Sequence, residues 1–228
     1  MSAARQRNSD SLTEPVEDYL KAVYEIERSG SAAATTTLAA RLGVAPASVS
    51  GMVRRLAEQG LLAYEPYRGV TLTATGRAAA LRTLRRHRVL ESYLTTVLGY
   101  PWDLVHEEAE RLEHAASDEL VDRMARALGD PAVDPHGAPI PTREGRVDET
   151  VHATLAEVAA GTRARVVRVS DADGAMLRYL AALGIVPSAA LSVVAREPFG
   201  GPITVEVGGV ARSVGPALAE QVLVEPDP

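Results

Sequence analysis

From Val105 to Glu119 the chain runs without a glycine or proline, as Val105-His106-Glu107-Glu108-Ala109-Glu110-Arg111-Leu112-Glu113-His114 and then Ala115-Ala116-Ser117-Asp118-Glu119. A helix turns by about 100° per residue. His106, Glu110, Glu113 and His114, at i, i+4, i+7 and i+8, therefore share one face. Val105, Ala109, Leu112 and Ala116 form an apolar stripe beside that face, not opposite it, which sets the polar groups at the rim of a core. Two carboxylates and two imidazoles converging there repel unless a cation sits between them. A solvated acidic helix is the plain alternative. The spacing favours a metal site.

The rest of the composition narrows the chemistry. The chain has 228 residues, enough for two or three small domains, and no cysteine. Disulfides, thiolate ligands and cysteine nucleophiles are excluded, so any metal must be held by oxygen and nitrogen. Hydrophobic residues make up 46% of the chain without a long apolar run, which predicts a soluble globular protein with no membrane span. The polar first ten residues lack an apolar signal core, so a cytoplasmic location is expected. Charge is uneven: residues 1–95 carry 13 Lys and Arg against 9 Asp and Glu, and the remainder 11 against 21. A basic N-terminal part on an acidic chain fits a nucleic-acid-binding head.

After a polar leader, Thr13-Glu14-Pro15 opens a helix whose Val16, Leu20 and Val23 keep helical spacing up to Gly30. Asp18 lies on it among apolar neighbours, and as a residue alone it reads equally as a surface acid or as a ligand. A short helix follows over Thr36–Val44. Pro46 then opens a second, which stops at Gly60. Leu61–Glu65 and Val70–Thr73 flank Pro66-Tyr67-Arg68-Gly69 as a β-hairpin. Helix, turn, helix and hairpin in that order predict a winged helix-turn-helix. In that arrangement Ser48 and Ser50 reach base edges, while Arg54, Arg55 and Arg68 suit phosphates. An ordinary solvated face is the alternative for the arginines.

Ala74-Thr75-Gly76-Arg77 starts a long helix on which His87 and Glu91 are spaced i, i+4. That pair reads as a salt bridge or, beside an acidic helix short of a cation, as a second metal position. Two shorter helices follow (104–116 and 118–128), making an all-α unit suited to dimerisation. The Pro- and Gly-rich stretch 129–150 reads as a linker or an ordered extended connection, and its His136 as structural or merely exposed. Beyond Leu155, five short strands (165–169, 190–194, 203–207, 210–214 and 222–224) and a helix over Ala175–Leu183 predict a small β-barrel, with Gly208-Gly209 as a hairpin turn. No nucleophile–base pair or phosphate-cradling loop occurs in it.

The chain resembles the metal-dependent repressors of the diphtheria toxin repressor family. The stretches that carry the likeness are Glu17-Asp18-Tyr19-Leu20, the helix–turn–helix with its hairpin, Arg86-His87-Arg88-Val89-Leu90-Glu91, Val105–Glu119 and His136-Gly137-Ala138-Pro139-Ile140-Pro141. Together they cover nearly the whole chain, including a C-terminal SH3-like domain of the type shared with FeoA proteins. The resemblance implies a primary metal site of Asp18, Glu110, Glu113 and His114. It also implies an ancillary site of His87, Glu91 and His106, with Asp171 as a further ligand from the third domain.

Iron-responsive members typically carry Met where Asp18 stands and Cys where Glu110 stands. Carboxylates at both positions give an all-oxygen-and-imidazole site, which suits manganese better than a sulfur-containing one. The expected architecture is mainly α with a small β domain. It comprises a winged helix-turn-helix (1–76), a helical metal-binding and dimerisation domain (77–142) and an SH3-like β-barrel (143–228). The expected function is a homodimeric, Mn2+-activated repressor of metal-uptake genes bound to double-stranded operator DNA, with an Fe2+-dependent repressor as the alternative. A metallohydrolase built on the same cluster would need an open coordination position and a general base outside the ligand set. The sequence offers no such base, so an enzyme is not expected.

Overall fold

The structure is a computed structural model describing residues 12–28, 30, 33–65 and 69–227. The chain divides into two compact units: Met1–Arg85 with Arg143–Gly145, and Arg86–Thr142 with Arg146–Pro228. Among the described residues no helix is long and apolar enough to cross a membrane.

The N-terminal unit holds α1 (Glu14–Arg28), α2 (Thr35–Leu42), α3 (Pro46–Glu58), β1 (Leu62–Glu65), β2 (Gly69–Leu72) and the start of α4 (Ala74–Leu98). Glu14 and Glu17 in the first turn of α1 and Arg28 in its last complement the helix dipole. Gly43, at φ 64°, ends α2 in the left-handed region that glycine adopts freely. Ala45 precedes Pro46 and caps α3 without a side-chain hydrogen bond. Leu20, Val23, Leu38, Val49, Val53, Leu56 and Val70 are buried and form the centre of this unit. The antiparallel β1–β2 hairpin pairs Leu62 with Leu72 and Tyr64 with Val70. Gly76 lies so close to it that a Cβ there would stand 1.9 Å from the Leu61 carbonyl oxygen. The hairpin tip, with Arg68, lies outside the described residues.

The C-terminal unit begins with the rest of α4, followed by α5 (Val105–Glu113) and α6 (Asp118–Ala127). α5 is shorter than the 104–116 expected. His114 is its C-cap, and Ala115 N–H bonds back only three residues, to Leu112. Ser117 already caps α6 by accepting the Leu120 N–H, which leaves no room for a further turn of α5. Val89, Leu90, Ala109, Ala116, Val121, Ala125 and Ile140 pack together as the core of the three helices.

The remaining elements are β3 (Ala153–Thr154), β4 (Arg163–Val169), α7 (Gly174–Leu183), β5 (Ala190–Arg196), β6 (Ile203–Val207), β7 (Val210–Val214), α8 (Pro216–Ala219) and β8 (Val222–Pro226). They build one antiparallel sheet in the order β3-β8-β4-β5-β6-β7. The barrel expected from the sequence is not closed. Closure needs the two edges to pair, and among the described residues β7 pairs only with β6 while β3, two residues long, pairs only with β8. Gly208 and Gly209, both at positive φ, turn the β6–β7 hairpin as expected. Leu155, Val166, Leu177, Leu180, Val193, Val205 and Val222 fill the space between the sheet and α7.

The Pro-rich stretch is ordered and docked. Asp134 Oδ1 accepts the N–H groups of His136 (2.8 Å) and Ala138 (2.9 Å), which folds Asp134–Ala138 into a tight turn. Val169 N–H then donates to the His136 carbonyl oxygen at 2.9 Å, tying that turn to β4. Gly137 sits at φ 88°, and a Cβ on it would stand 2.0 Å from the Val167 carbonyl oxygen. Only glycine fits there.

Candidate metal centre

The site is built where α4, α5, the Asp134–Ala138 turn and Asp171, two residues past β4, meet within the C-terminal unit. His87 and Glu91 lie one turn apart on α4, with His87 Nε2 3.0 Å from Glu91 Oε1. The other ring nitrogen, Nδ1, lies 2.6 Å from Glu113 Oε2. His106 closes the group: its Nδ1 stands 3.2 Å from Glu91 Oε1 and 3.1 Å from His87 Nε2. Around this centre Glu110 Oε1 lies 3.7 Å from His106 Nε2, and Asp171 Oδ2 lies 3.8 Å from His106 Nδ1. His114 Nε2 stands 3.5 Å from Glu113 Oε1. Glu91 and Glu113 are fully buried, His87 nearly so, and His106, Glu110, His114 and Asp171 are half-buried.

Burial works against each charge here, and the partners decide the outcome. Desolvation pushes the Glu91 carboxyl up, but the charge of His87 and hydrogen bonds from His106 and His87 outweigh it, so the net shift is downward. Desolvation lowers His106, whereas its hydrogen bond to Glu91 and the charges of Asp171 and Glu91 raise it, and the net is upward. Asp134 is pushed up to about 6, first by burial and then by the Glu91 charge, with Arg88 and His136 pulling the other way. Arg88 Nε stands 3.6 Å from Asp134 Oδ2.

Sequence reasoning set His136 aside. The structure buries it fully, with Nδ1 3.8 Å from Glu91 Oε1 and Nε2 2.7 Å from the Trp102 carbonyl oxygen. Asp134, two residues earlier, is buried beside it. Glu91 Oε2, Asp134 Oδ2 and His136 Nδ1 are all buried without a hydrogen-bond partner. Three buried polar atoms without a hydrogen bond in one place are costly unless something satisfies them. Glu91, Asp134 and His136 each offer a ligand atom within 4.8 Å of the others, and so do Glu91, His106 and Asp171. Every donor is a carboxylate oxygen or an imidazole nitrogen, the set that suits a divalent first-row cation. Glu91 is common to both groups.

Asp18 is half-buried on α1 in the N-terminal unit. On α3 of the same unit, Ser48, Ser50, Arg54 and Arg55 are exposed, and the Ser50 hydroxyl donates to the Pro46 carbonyl oxygen at 3.1 Å.

Residues 11–70 match the iron dependent repressor, N-terminal DNA binding domain, and residues 73–142 the iron dependent repressor, metal binding and dimerisation domain. Residues 153–226 match the FeoA domain. The iron-dependent repressor IdeR of Mycobacterium tuberculosis is 32% identical over 227 residues, covering 94% of this chain and 98% of its own. The chain belongs to the diphtheria toxin repressor family. Members of this family are metal-dependent transcriptional regulators, not enzymes. The diphtheria toxin repressor of Corynebacterium diphtheriae is 35% identical over 162 residues, covering 69% of this chain and 72% of its own. Among solved structures, a manganese-dependent transcriptional repressor in complex with manganese superimposes with a TM-score of 0.88 at 43% identity, covering 92% of this chain and 99% of that one. The manganese regulator SloR does so with a TM-score of 0.79 at 32% identity, covering 95% and 100%. Among repressors of this family, the chain thus has both iron- and manganese-named relatives.

Proposed function

We propose that this family member is a manganese-activated repressor that binds operator DNA of metal-uptake genes as a homodimer. Its winged helix-turn-helix spans residues 1–76, its metal-binding and dimerisation domain 77–142 and its SH3-like domain 143–228. The activating ion is held by Asp18, Glu110, Glu113 and His114. A second ion is held by Glu91 with His87, His106 and Asp171 on one side or with Asp134 and His136 on the other.

The observation that carries the reading is the donor set: carboxylates and imidazoles in a chain without cysteine. Divalent affinity generally rises from manganese to iron, so manganese is favoured only through ligand hardness and geometry. When bound, the metal supplies the positive charge that lets these carboxylates sit together, and this chain's residues do the rest. Asp18 brings α1 into the ligand set. Glu113 is already oriented by His87, and His114 by its place at the end of α5. Fixing α1 fixes the helix–turn–helix that follows it, so that the two α3 helices of a dimer present Ser48 and Ser50 to successive major grooves, with Arg54, Arg55 and Arg68 on phosphates. The identity with IdeR favours Fe2+ as the second reading.

The test is DNA binding by fluorescence anisotropy, titrated anaerobically with Mn(II), Fe(II) and Co(II) in turn. Tight binding first appearing with Mn(II) supports the reading. A response to Fe(II) at lower free metal moves the chain to the iron alternative. His114→Ala should abolish the metal response while the dimer survives.

A further inference from the structure

The backbone of His136 is tied down by the Asp134 side chain and by β4, but its ring is set by a different residue, Trp102, in the loop between α4 and α5. The Trp102 carbonyl oxygen can only accept a hydrogen bond, so at 2.7 Å the His136 Nε2 must carry a proton. In the neutral imidazole that leaves the lone pair on Nδ1. Nδ1 is the atom buried without a hydrogen-bond partner, 3.8 Å from Glu91 Oε1. The Trp102 indole stacks on the same imidazole, with ring centroids 5.7 Å apart and planes 27° apart. It is half-buried and packs as well against the core between the sheet and α7. The next residue holds it there. Asp103 Oδ2 accepts from Arg178 Nη1 on α7 at 2.8 Å, and a Cβ on Gly174 would stand 2.5 Å from the Asp103 carbonyl oxygen.

We propose that Trp102 is a positioning residue for the second metal ion: its indole and its carbonyl oxygen together hold the His136 imidazole in the orientation and tautomer that turn Nδ1 towards Glu91 and Asp134. This rests on reading Glu91, Asp134 and His136 as ligands of that ion. A histidine ring has a broad, two-fold preference about its second side-chain torsion, so an unrestrained His136 would spend part of its time with the lone pair turned away. A ligand histidine whose other nitrogen is bonded to a backbone carbonyl is fixed in advance. Stacking on the indole holds the ring plane, and the carbonyl oxygen selects the nitrogen that keeps its proton. Because the indole is anchored in the core shared by the sheet and α7, the docking of that region and the aim of the ligand are coupled. Trp102 is also the chain's one tryptophan, so its emission reports on His136 without competing signals.

The experiment titrates Mn(II) calorimetrically into the full chain, stripped of metal beforehand, as the parent, Trp102→Ala, Trp102→Phe, His136→Ala and the double variant Trp102→Ala with His136→Ala. The parent should take up two ions. Trp102→Ala should weaken one of them roughly tenfold or more, whereas Trp102→Phe, which keeps an aromatic face against the imidazole, should stay within about threefold of the parent. In the double variant that ion should be bound within about twofold of His136→Ala alone, because the indole acts only through the imidazole. A residue that merely anchors the sheet and α7 would lower the melting temperature and leave the affinity unchanged. An alanine variant that binds both ions as the parent does, or losses that add in the double variant, overturn the role of Trp102. If Trp102→Ala fails to fold, fluorescence decides: Mn(II) should change the Trp102 emission of the parent and leave that of His136→Ala unchanged. A response that survives in His136→Ala overturns the coupling. A parent that binds one ion, or a His136→Ala variant that still binds two as tightly, instead removes the second-ion reading and the proposal with it.

Discussion

The polar groups around Glu91 and those on the open face of α3 are both built from charged and hydroxyl side chains on helices, yet they meet opposite conditions. Around Glu91 the side chains are buried and spend their donors and acceptors on one another: His87 bonds to Glu113 and Glu91, and His106 to Glu91. On α3, Ser48, Arg54 and Arg55 face solvent. Removing a buried partner leaves its neighbours desolvated and unsatisfied, whereas removing an exposed one costs only the contact it would have made. The first face should fail as a unit and the second by increments.

Glu91→Ala tests the first half of that contrast most severely. It strips a partner from His87, His106 and His136 together. Breaking a buried charged pair costs on the order of 3–5 kcal/mol, which for a chain of this size lowers the melting temperature by roughly 10 °C. Calorimetric melting of the metal-free protein measures this. A variant melting within about two degrees of the parent would show that the buried pairs carry little of the stability.

Asp18→Met with Glu110→Cys sharpens the contrast by changing the character of the metal ligands while leaving the buried Glu91 network intact. Both replacements exchange hard oxygen for softer sulfur. Mn(II) activation should fall by an order of magnitude or more while Fe(II) or Co(II) activation is kept or gained. An unchanged preference for Mn(II) in anaerobic titrations would mean that these two residues do not set selectivity.

Gly137→Ala probes the backbone that holds the turn in place. Its Cβ would meet the Val167 carbonyl oxygen at 2.0 Å, in a conformation side chains rarely adopt. Overpacking of this kind costs about 1–3 kcal/mol, and the left-handed backbone adds about 1 kcal/mol. The melting temperature should drop by roughly 5–10 °C, with DNA affinity at low temperature and saturating metal within a few fold of the parent. An unshifted melting curve would mean the turn can move away from β4.

These contrasts also explain what the sequence made legible. The helices were readable because Val16, Leu20 and Val23, or Val105, Ala109 and Leu112, repeat at helical spacing. The β6–β7 turn was readable because Gly208-Gly209 announces it. The open sheet was not, since β3 is a two-residue strand with no alternation to read and closure depends on whether distant edges meet. His106, Glu110, Glu113 and His114 stood out through local spacing, and His87 with Glu91 through theirs. His136 did not, because it reaches Glu91 across 45 residues of chain through a docked turn. The one local hint was Asp134 two residues ahead of it, an arrangement in which the aspartate side chain caps the following backbone amides.

The smallest effects belong to α3. Arg54 and Arg55 sit on its exposed face, one helical turn from the small residues Ser50 and Gly51. If they neutralise phosphates, each contact releases counterions irrespective of sequence. Arg54→Ala or Arg55→Ala should then weaken binding roughly three- to tenfold at moderate salt, equally for selected and unrelated duplexes, with a slope shallower by about one unit. The melting temperature should stay within about one degree, since no buried group loses a partner. The specificity ratio is the sensitive readout. A phosphate contact leaves it unchanged, because selected and unrelated duplexes carry the same backbone. If one variant instead lost affinity only for duplexes with guanine at a single position, that arginine would be a base reader, its guanidinium paired with the guanine O6 and N7. The exposed face would then share with the buried one the property that a single side chain decides an outcome.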